Sequence, residues 1–250
     1  MPKPEEGFTD FGFQKIPRLD KTKRVQEVFQ SVASQYDFMN DLMSFGIHRI
    51  WKKIAISKCF ARPGQTILDL AGGTGDMTQR LLPIVGPKGK VILADINASM
   101  LQVARARFID ANQFTTLQIC QTNAETLPFQ DNIFDSIIIA FGLRNITDKA
   151  KALRSMYRTL KPGGRLVILE FSKPRLFLQE MYDFYSFNIL PWLGKIVLQD
   201  SVSYQYLAES IRMHPNQDNL IKLMQEAEFE QCSYQNLTQG IVAIHTGFKF

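Results

Sequence analysis

The sequence predicts an α/β fold, a doubly wound and mostly parallel sheet closed by an antiparallel strand. Three observations carry this. From Thr66 onward, short β-rich runs alternate with helical patterns, as expected when helices cover both faces of a parallel sheet. One of these runs leads through a glycine-rich turn into a helix. Near the C-terminus two further runs are joined by so few residues that they can only pair antiparallel. A chain of 250 residues, 45% hydrophobic, can bury a full core. The expectation is one domain over 1–250, with an arm and helices over 1–60 and an inserted cap over 171–215.

Taken in order, the first 20 or so residues hold three prolines and two glycines and read as an irregular arm. Val25, Val28, Phe29, Val32 and Ala33 then recur at helical spacing. Ile47, Ile50, Trp51 and Ile54 repeat it after a break at Ser44 to Gly46, so two helices precede the sheet. The predicted strands are Thr66 to Leu70, Val91 to Ala94, Leu117 to Cys120, Ser136 to Phe141 and Arg165 to Glu170. Between them lie three apolar helix faces, Met77, Leu81, Leu82 and Val85, then Met100, Leu101, Ala104 and Phe108, then Leu153, Met156, Tyr157 and Leu160. Lys161-Pro162-Gly163-Gly164 ends the last of these. Phe229 to Gln235 and Gly240 to Phe248 form the closing pair.

Composition narrows the function classes. No run approaches the roughly 20 apolar residues of a membrane span, and the N-terminus lacks a signal-peptide core, so a cytoplasmic protein is expected. Cys59, Cys120 and Cys232 are widely spaced and indicate neither disulfides nor a zinc site. A net charge of +5 suits nucleic acid, an anionic membrane or an anionic substrate alike. The densest basic cluster, His48, Arg49, Lys52 and Lys53, reads equally as a solvated helix face or a binding patch.

The sharpest motif runs from Ile67 to Asp76, Ile-Leu-Asp-Leu-Ala-Gly-Gly-Thr-Gly-Asp, an apolar strand entering a glycine turn and then a helix. Glycine there lets the backbone approach a ligand closely. Asp95 stands 20 residues beyond Gly75, at the end of the second strand, where a carboxylate can accept from both hydroxyls of a ribose. A dinucleotide fingerprint would need a small residue where Thr78 stands. Asp69 and Asp76 also bracket the turn with negative charge, which repels a pyrophosphate and suits a sulfonium with its α-amino group. The motif therefore favours S-adenosylmethionine on a Rossmann-like sheet. The candidate cofactor residues are Asp69, Gly72, Gly73, Thr74, Gly75 and Asp95, with Asn123 and Ala124, after the third strand, placed to meet the adenine edge. Phe141-Gly142-Leu143-Arg144-Asn145 follows the fourth strand at the same sheet edge.

Ser31 to His48, Leu68 to Asp76, Ala94 to Leu101, Phe141 to Asp148, Lys151 to Pro174 and Tyr206 to Asp218 resemble the ubiquinone/menaquinone biosynthesis C-methyltransferase family, known as UbiE. The most particular stretches are Phe-Gly-Leu-Arg-Asn and Ala208 to Pro215. The resemblance implies C-methylation of a polyprenylated hydroquinone: demethylmenaquinol to menaquinol, and 2-methoxy-6-polyprenyl-1,4-benzoquinol to its 5-methyl product. It carries cofactor contacts onto Thr74, Asp95, Asn123 and Ala124. Members commonly have a serine just before Phe-Gly-Leu-Arg-Asn; here that residue is Ala140, so no hydroxyl contact is available.

Methyl transfer from a sulfonium needs alignment and calls for no metal. A hydroquinone carbon becomes nucleophilic when its hydroxyl loses a proton, so a cation that stabilises the phenolate would supply catalysis. Arg144 is the candidate for that role, and Tyr36 for closing over the methyl group or bonding the acceptor. His48, His214 and His245 are expected to be structural. Phe171 to Leu198, rich in aromatics, is the expected prenyl tunnel or membrane-contacting segment. Expected partners are the polyprenyl hydroquinone, the inner membrane surface as a peripheral contact, and a homo-oligomer or quinone-biosynthesis complex. Nucleic acid is not expected: no Asn-Pro-Pro-Tyr, Asp-Pro-Pro-Tyr or Pro-Cys motif is present. Another lipid or small-molecule acceptor, a non-catalytic subunit and a dehydrogenase stay open as alternatives.

Overall fold

The computed structural model describes residues 7–32, 41, 44, 46–110, 115–174 and 201–250. Two short strands, β1 (Phe8–Phe11) and β2 (Gln14–Pro17), form an antiparallel hairpin ahead of α1 (Arg18–Val32) and α2 (His48–Lys58). The main sheet has seven strands: β3 (Thr66–Leu70), β4 (Lys90–Asp95), β5 (Leu117–Gln121), β6 (Phe134–Ala140), β7 (Leu160–Phe171), β8 (Glu230–Leu237) and β9 (Val242–Phe248). Helices α3 (Asp76–Val85), α4 (Ala98–Asp110) and α5 (Lys149–Thr159) connect the strands, and α6 (Ser201–Met213) and α7 (Gln217–Glu226) precede β8.

The strand order is β5-β4-β3-β6-β7-β9-β8. Strands β3 to β7 run parallel, and β9 enters antiparallel between β7 and β8. The chain winds from β3 to one side through β4 and β5, then crosses to β6. The crevice beyond the carboxyl ends of β3 and β6 is therefore the topological switch point, where open α/β sheets bind ligands.

Alternation along each strand feeds two cores. Ile67, Val91, Leu93, Ile138 and Val167 pack with Trp51 of α2, Met77 and Leu81 of α3, and Phe108 of α4. On the other face Leu68, Ile92, Ile137 and Ile139 pack with Leu153 and Met156 of α5 and Leu220 and Met224 of α7. The anticipated faces of α3 and α4 are buried as written. Truncating a leucine in either layer should cost about 2–5 kcal/mol.

Three expectations need correction. The lead-in to α1 is not irregular: Gly12 turns the hairpin with φ 58°, Ile16 is buried, and Phe11 stacks on Tyr206 at 4.4 Å. Helix α2 buries His48, Trp51, Lys52, Ala55 and Ile56, with Ile54 packed against the core, while Ile47 and Ile50 face solvent, so only half of the anticipated apolar face points inward. Strand β7 starts at Leu160 and runs through the Lys-Pro-Gly-Gly stretch, where Gly163 donates to Lys249 and Lys249 to Gly164.

Candidate active site

The glycine turn, the end of β4, the start of the loop after β5 and the loop after β6 converge on one cleft at the switch point. It opens to solvent, spans about 790 Å³ with that open space included, and is lined by Ala71, Gly73, Asp95, Asn123, Ala124, Phe141 and Asn145, among others. A smaller cavity lies on the other side of the turn, lined by Asp69, Gly72, Thr74 and Ala140 among others, and sharing Ala71, Gly73 and Phe141 with the cleft.

Gly73 has φ 56° and donates its N–H to the Asp95 carboxylate at 2.9 Å, a geometry that suits glycine. A Cβ on Gly72 would run into Leu93 and the Asp69 carboxyl, so this glycine serves packing beneath the turn. Gly75 precedes α3 and donates back to Gly72. Thr74 is buried against the smaller cavity.

Asp95 is less open than a strand end suggests, at 9% exposed. One oxygen accepts from Gly73 and the other from the Asn97 N–H at 2.8 Å. Burial raises its pKa, opposed by these backbone donors. Each carboxylate oxygen has two lone pairs, so acceptor capacity remains on the cleft side.

Asp69 is fully buried. One oxygen accepts from the Thr78 N–H at 2.9 Å and hydroxyl at 2.6 Å; the other, Oδ1, has no partner among the described residues. Thr78, the residue that broke the dinucleotide fingerprint, thus anchors the acid. Burial pushes Asp69 up to about 7 against the pull of the Thr78 bonds.

Asn123 accepts the Glu125 N–H at 2.9 Å and so caps the short turn that carries Ala124. Beyond β6, Phe141 sits at φ 57°, a left-handed conformation that a bulky residue adopts only when its surroundings hold it there. Its N–H donates to Leu169, and its carbonyl accepts from the Arg144 guanidinium. Gly142 leaves no room for a Cβ against Ala71, so this loop and the glycine turn touch.

Arg144 does not line the cleft. Its guanidinium is buried and bonded to Glu170 at 2.7 Å, and its backbone N–H donates to the same carboxylate at 3.1 Å. Arg144, the residue expected to stabilise a phenolate, is thus one half of an internal ion pair that holds the loop bordering the cleft. Asn145 lines the cleft together with Phe141 and Gly142 of the same motif, and its Oδ1 accepts from the Tyr206 hydroxyl at 3.1 Å. Tyr36 lies outside the described residues, as does most of the aromatic segment beyond Pro174.

The sequence reading missed the wall supplied by α1, where Thr22, Val25, Gln26 and Phe29 line the cleft. Gln26 donates to the Ile96 carbonyl at 3.0 Å and accepts from the Asn97 amide, which ties the helix to the end of β4. Val25 and Phe29 were visible as an apolar stripe, but the stripe alone reads as core. Among the histidines, His48 bonds Asp41 at 2.8 Å and His245 faces the Gln217 carbonyl at 3.2 Å.

The ubiE/COQ5 methyltransferase family model matches residues 18–249. The chain belongs to this family. It is similar to curated proteins named ubiquinone/menaquinone biosynthesis C-methyltransferase UbiE. One, from Coxiella burnetii, is 57% identical over 246 residues, 98% of each chain. Another, from Photorhabdus laumondii, is 60% identical over 244 residues, 97% of each. Among solved structures, an S-adenosylmethionine-dependent methyltransferase of Aquifex aeolicus superimposes with a TM-score of 0.62 at 16% identity, covering 88% of this chain and 98% of that one. One from Thermotoga maritima gives 0.60 at 20% identity, covering 90% and 99%. At that identity the likeness speaks for the fold, and the family assignment rests on the sequence relatives.

Proposed function

We propose that the protein is a C-methyltransferase that moves a methyl group from S-adenosylmethionine to a ring carbon of a polyprenylated hydroquinone. The acceptors are demethylmenaquinol and 2-methoxy-6-polyprenyl-1,4-benzoquinol. The observation that carries this reading is near-full-length likeness, at 57–60% identity, to proteins named for these two quinone pathways. The cleft fits the donor: Asp95 offers acceptors where a ribose is expected, Asn123 and Ala124 border the adenine position, and Asp69 holds an unpartnered buried oxygen beside the turn.

S-adenosylmethionine, when bound, supplies an electrophilic methyl group on a good leaving group. The chain aligns and shields it. Gly73 and Asp95 fix the floor of the cleft through their mutual hydrogen bond. Phe141, held by Leu169 and Arg144, walls the cleft with an apolar ring that excludes water. Asn145, with its carbonyl engaged by Tyr206, offers its amide donors to the cleft and so to an acceptor oxygen. Arg144 acts through the loop it holds, and Tyr36 is proposed to close over the methyl group.

No helix among the described residues is long and apolar enough to cross a membrane. A polyprenyl acceptor partitions into the bilayer, so we infer a cytoplasmic protein that meets its substrate peripherally at the inner membrane surface. The test is transfer of labelled methyl by the purified chain to each quinol. Labelled 5-methyl benzoquinol or menaquinol is the expected product. No transfer to either, with S-adenosylhomocysteine still bound, would leave a cofactor-binding subunit instead.

A further inference from the structure

The smaller cavity is lined by a residue from outside the parallel α/β unit: Lys52 of α2. Lysine is seldom buried unless something holds its charge. Lys52 is only 5% exposed, and its ammonium donates to Asp76 at 2.7 Å. An ammonium has three N–H donors, and this bond uses one. Asp76 has a second cation of its own, Arg80 at 3.0 Å, so Lys52 is more than is needed to neutralise it.

A second observation concerns Asp69, which lines the same cavity and has one buried oxygen with no partner among the described residues. Leaving such an atom unpaired costs about 1–3 kcal/mol, more for a charged group, so a ligand donor is its natural complement. One cavity thus offers an ammonium with donors to spare and a carboxyl with an acceptor to spare. This is the complement of an amino-acid terminus, which carries one carboxylate and one ammonium. Because Ala71, Gly73 and Phe141 border both spaces, a single ligand can extend from the ribose-binding cleft into this cavity.

We propose that Lys52 is the cation that holds the α-carboxylate of the cofactor's methionine end, with Asp69 taking the α-ammonium. The assignment rests on the reading of S-adenosylmethionine as cofactor. It makes α2 part of the binding site, so the segment ahead of the parallel sheet contributes to affinity as well as to packing.

Calorimetric titration of the full chain with two ligands tests this. S-adenosylhomocysteine carries the amino-acid terminus; 5′-methylthioadenosine has the same nucleoside and lacks it. Lys52→Met should weaken S-adenosylhomocysteine about 10- to 100-fold, as expected for one charge-assisted hydrogen bond, and leave 5′-methylthioadenosine within about twofold. Lys52→Gln, which keeps a polar tip, gives the same split and serves if the methionine variant does not fold. Equal losses on both ligands would mean that Lys52 acts through the fold, and unchanged affinity for both would mean that it faces no carboxylate; either overturns the assignment. Wild-type protein that binds neither ligand overturns the cofactor reading, and this one with it.

Discussion

Asp69 and Asp95 do different work although both are buried acids at strand ends. The Asp95 oxygens each hold a backbone N–H of the surrounding loops, whereas Asp69 keeps one oxygen without a partner. Burial lifts Asp69 to about 7, so near neutrality the empty site is partly protonated, while a bound ammonium favours the carboxylate. Binding should therefore release a proton below that pH. S-adenosylhomocysteine affinity should rise about fivefold from pH 6 to pH 7 and about tenfold by pH 8, levelling off above. Calorimetry at pH 6 in two buffers of different ionisation heat measures the release; a pH-independent affinity would remove Asp69 as the ammonium's partner. Asp95→Ala is expected to lower cofactor affinity at least about tenfold and also to orphan the N–H groups of Gly73 and Asn97, at about 1–3 kcal/mol each. Thermal melting and titration together check this, and a folded variant with wild-type affinity would refute the ribose role. The presence of both acids was readable from the glycine motif. Their inequality was not, because it depends on Thr78 and on the loop after β4.

Among the elements, the loop after β6 is organised by a carboxylate on the neighbouring strand. Glu170, at the end of β7, accepts from the Arg144 backbone and guanidinium, and that guanidinium holds the Phe141 carbonyl. Removing one partner of a buried ion pair strands the other charge and costs about 3–5 kcal/mol. Glu170→Gln should thus lower the melting temperature by about 6–20 °C and weaken cofactor binding as Phe141 and Gly142 lose their hold. Replacing both partners, Arg144→Met with Glu170→Leu, should restore much of the stability but not turnover. A Glu170→Gln protein with wild-type melting would show that the pair does not hold the loop. Sequence periodicity revealed β3 to β7, the closing pair and the faces of α3 and α4, because those signals are local. It did not reveal the hairpin of β1 and β2, whose four-residue strands are too short to show a period. Nor did it reveal which side of α2 is buried. His48 and Lys52 are polar, and their burial depends on Asp41 and Asp76, residues that only the fold brings near. The basic cluster accordingly divides, with Arg49 and Lys53 exposed and His48 and Lys52 inside.

At the scale of the whole molecule, buried titratable groups of opposite sign set how stability depends on pH, and His245, His214 and Asp69 show the opposition. His245 in β9 is pushed down to about 4 by burial, partly offset by the Gln217 carbonyl it faces. His214, just after α6, is held well below its ordinary value by burial and by the cations of Lys149 and Arg144, and neither of its ring nitrogens has a partner among the described residues. A depressed histidine contributes stability above its unfolded value near 6.5, and that contribution is lost as the pH falls towards its folded value. Asp69 has the opposite sign: its raised folded value favours the protonated native state, so its contribution is full below about 4 and lost as the pH rises through 7. Acidification from pH 6.5 to pH 4.5 thus sets the imidazoles of His245, His214 and His48, all lowered by burial, against the carboxyls of Asp69 and Asp95, both raised by it, and stability should fall. His245 alone accounts for about 2 kcal/mol over that interval, or about 4–8 °C in melting temperature for a chain of this size. Melting curves across the interval test the balance in both directions. His245→Gln, which keeps a donor for the Gln217 carbonyl, should flatten the acid side of the profile, whereas Asp69→Asn should steepen it. If both variants followed the wild-type slope, these buried groups would titrate alike in the folded and unfolded chain, and acid lability would have to arise from surface charge.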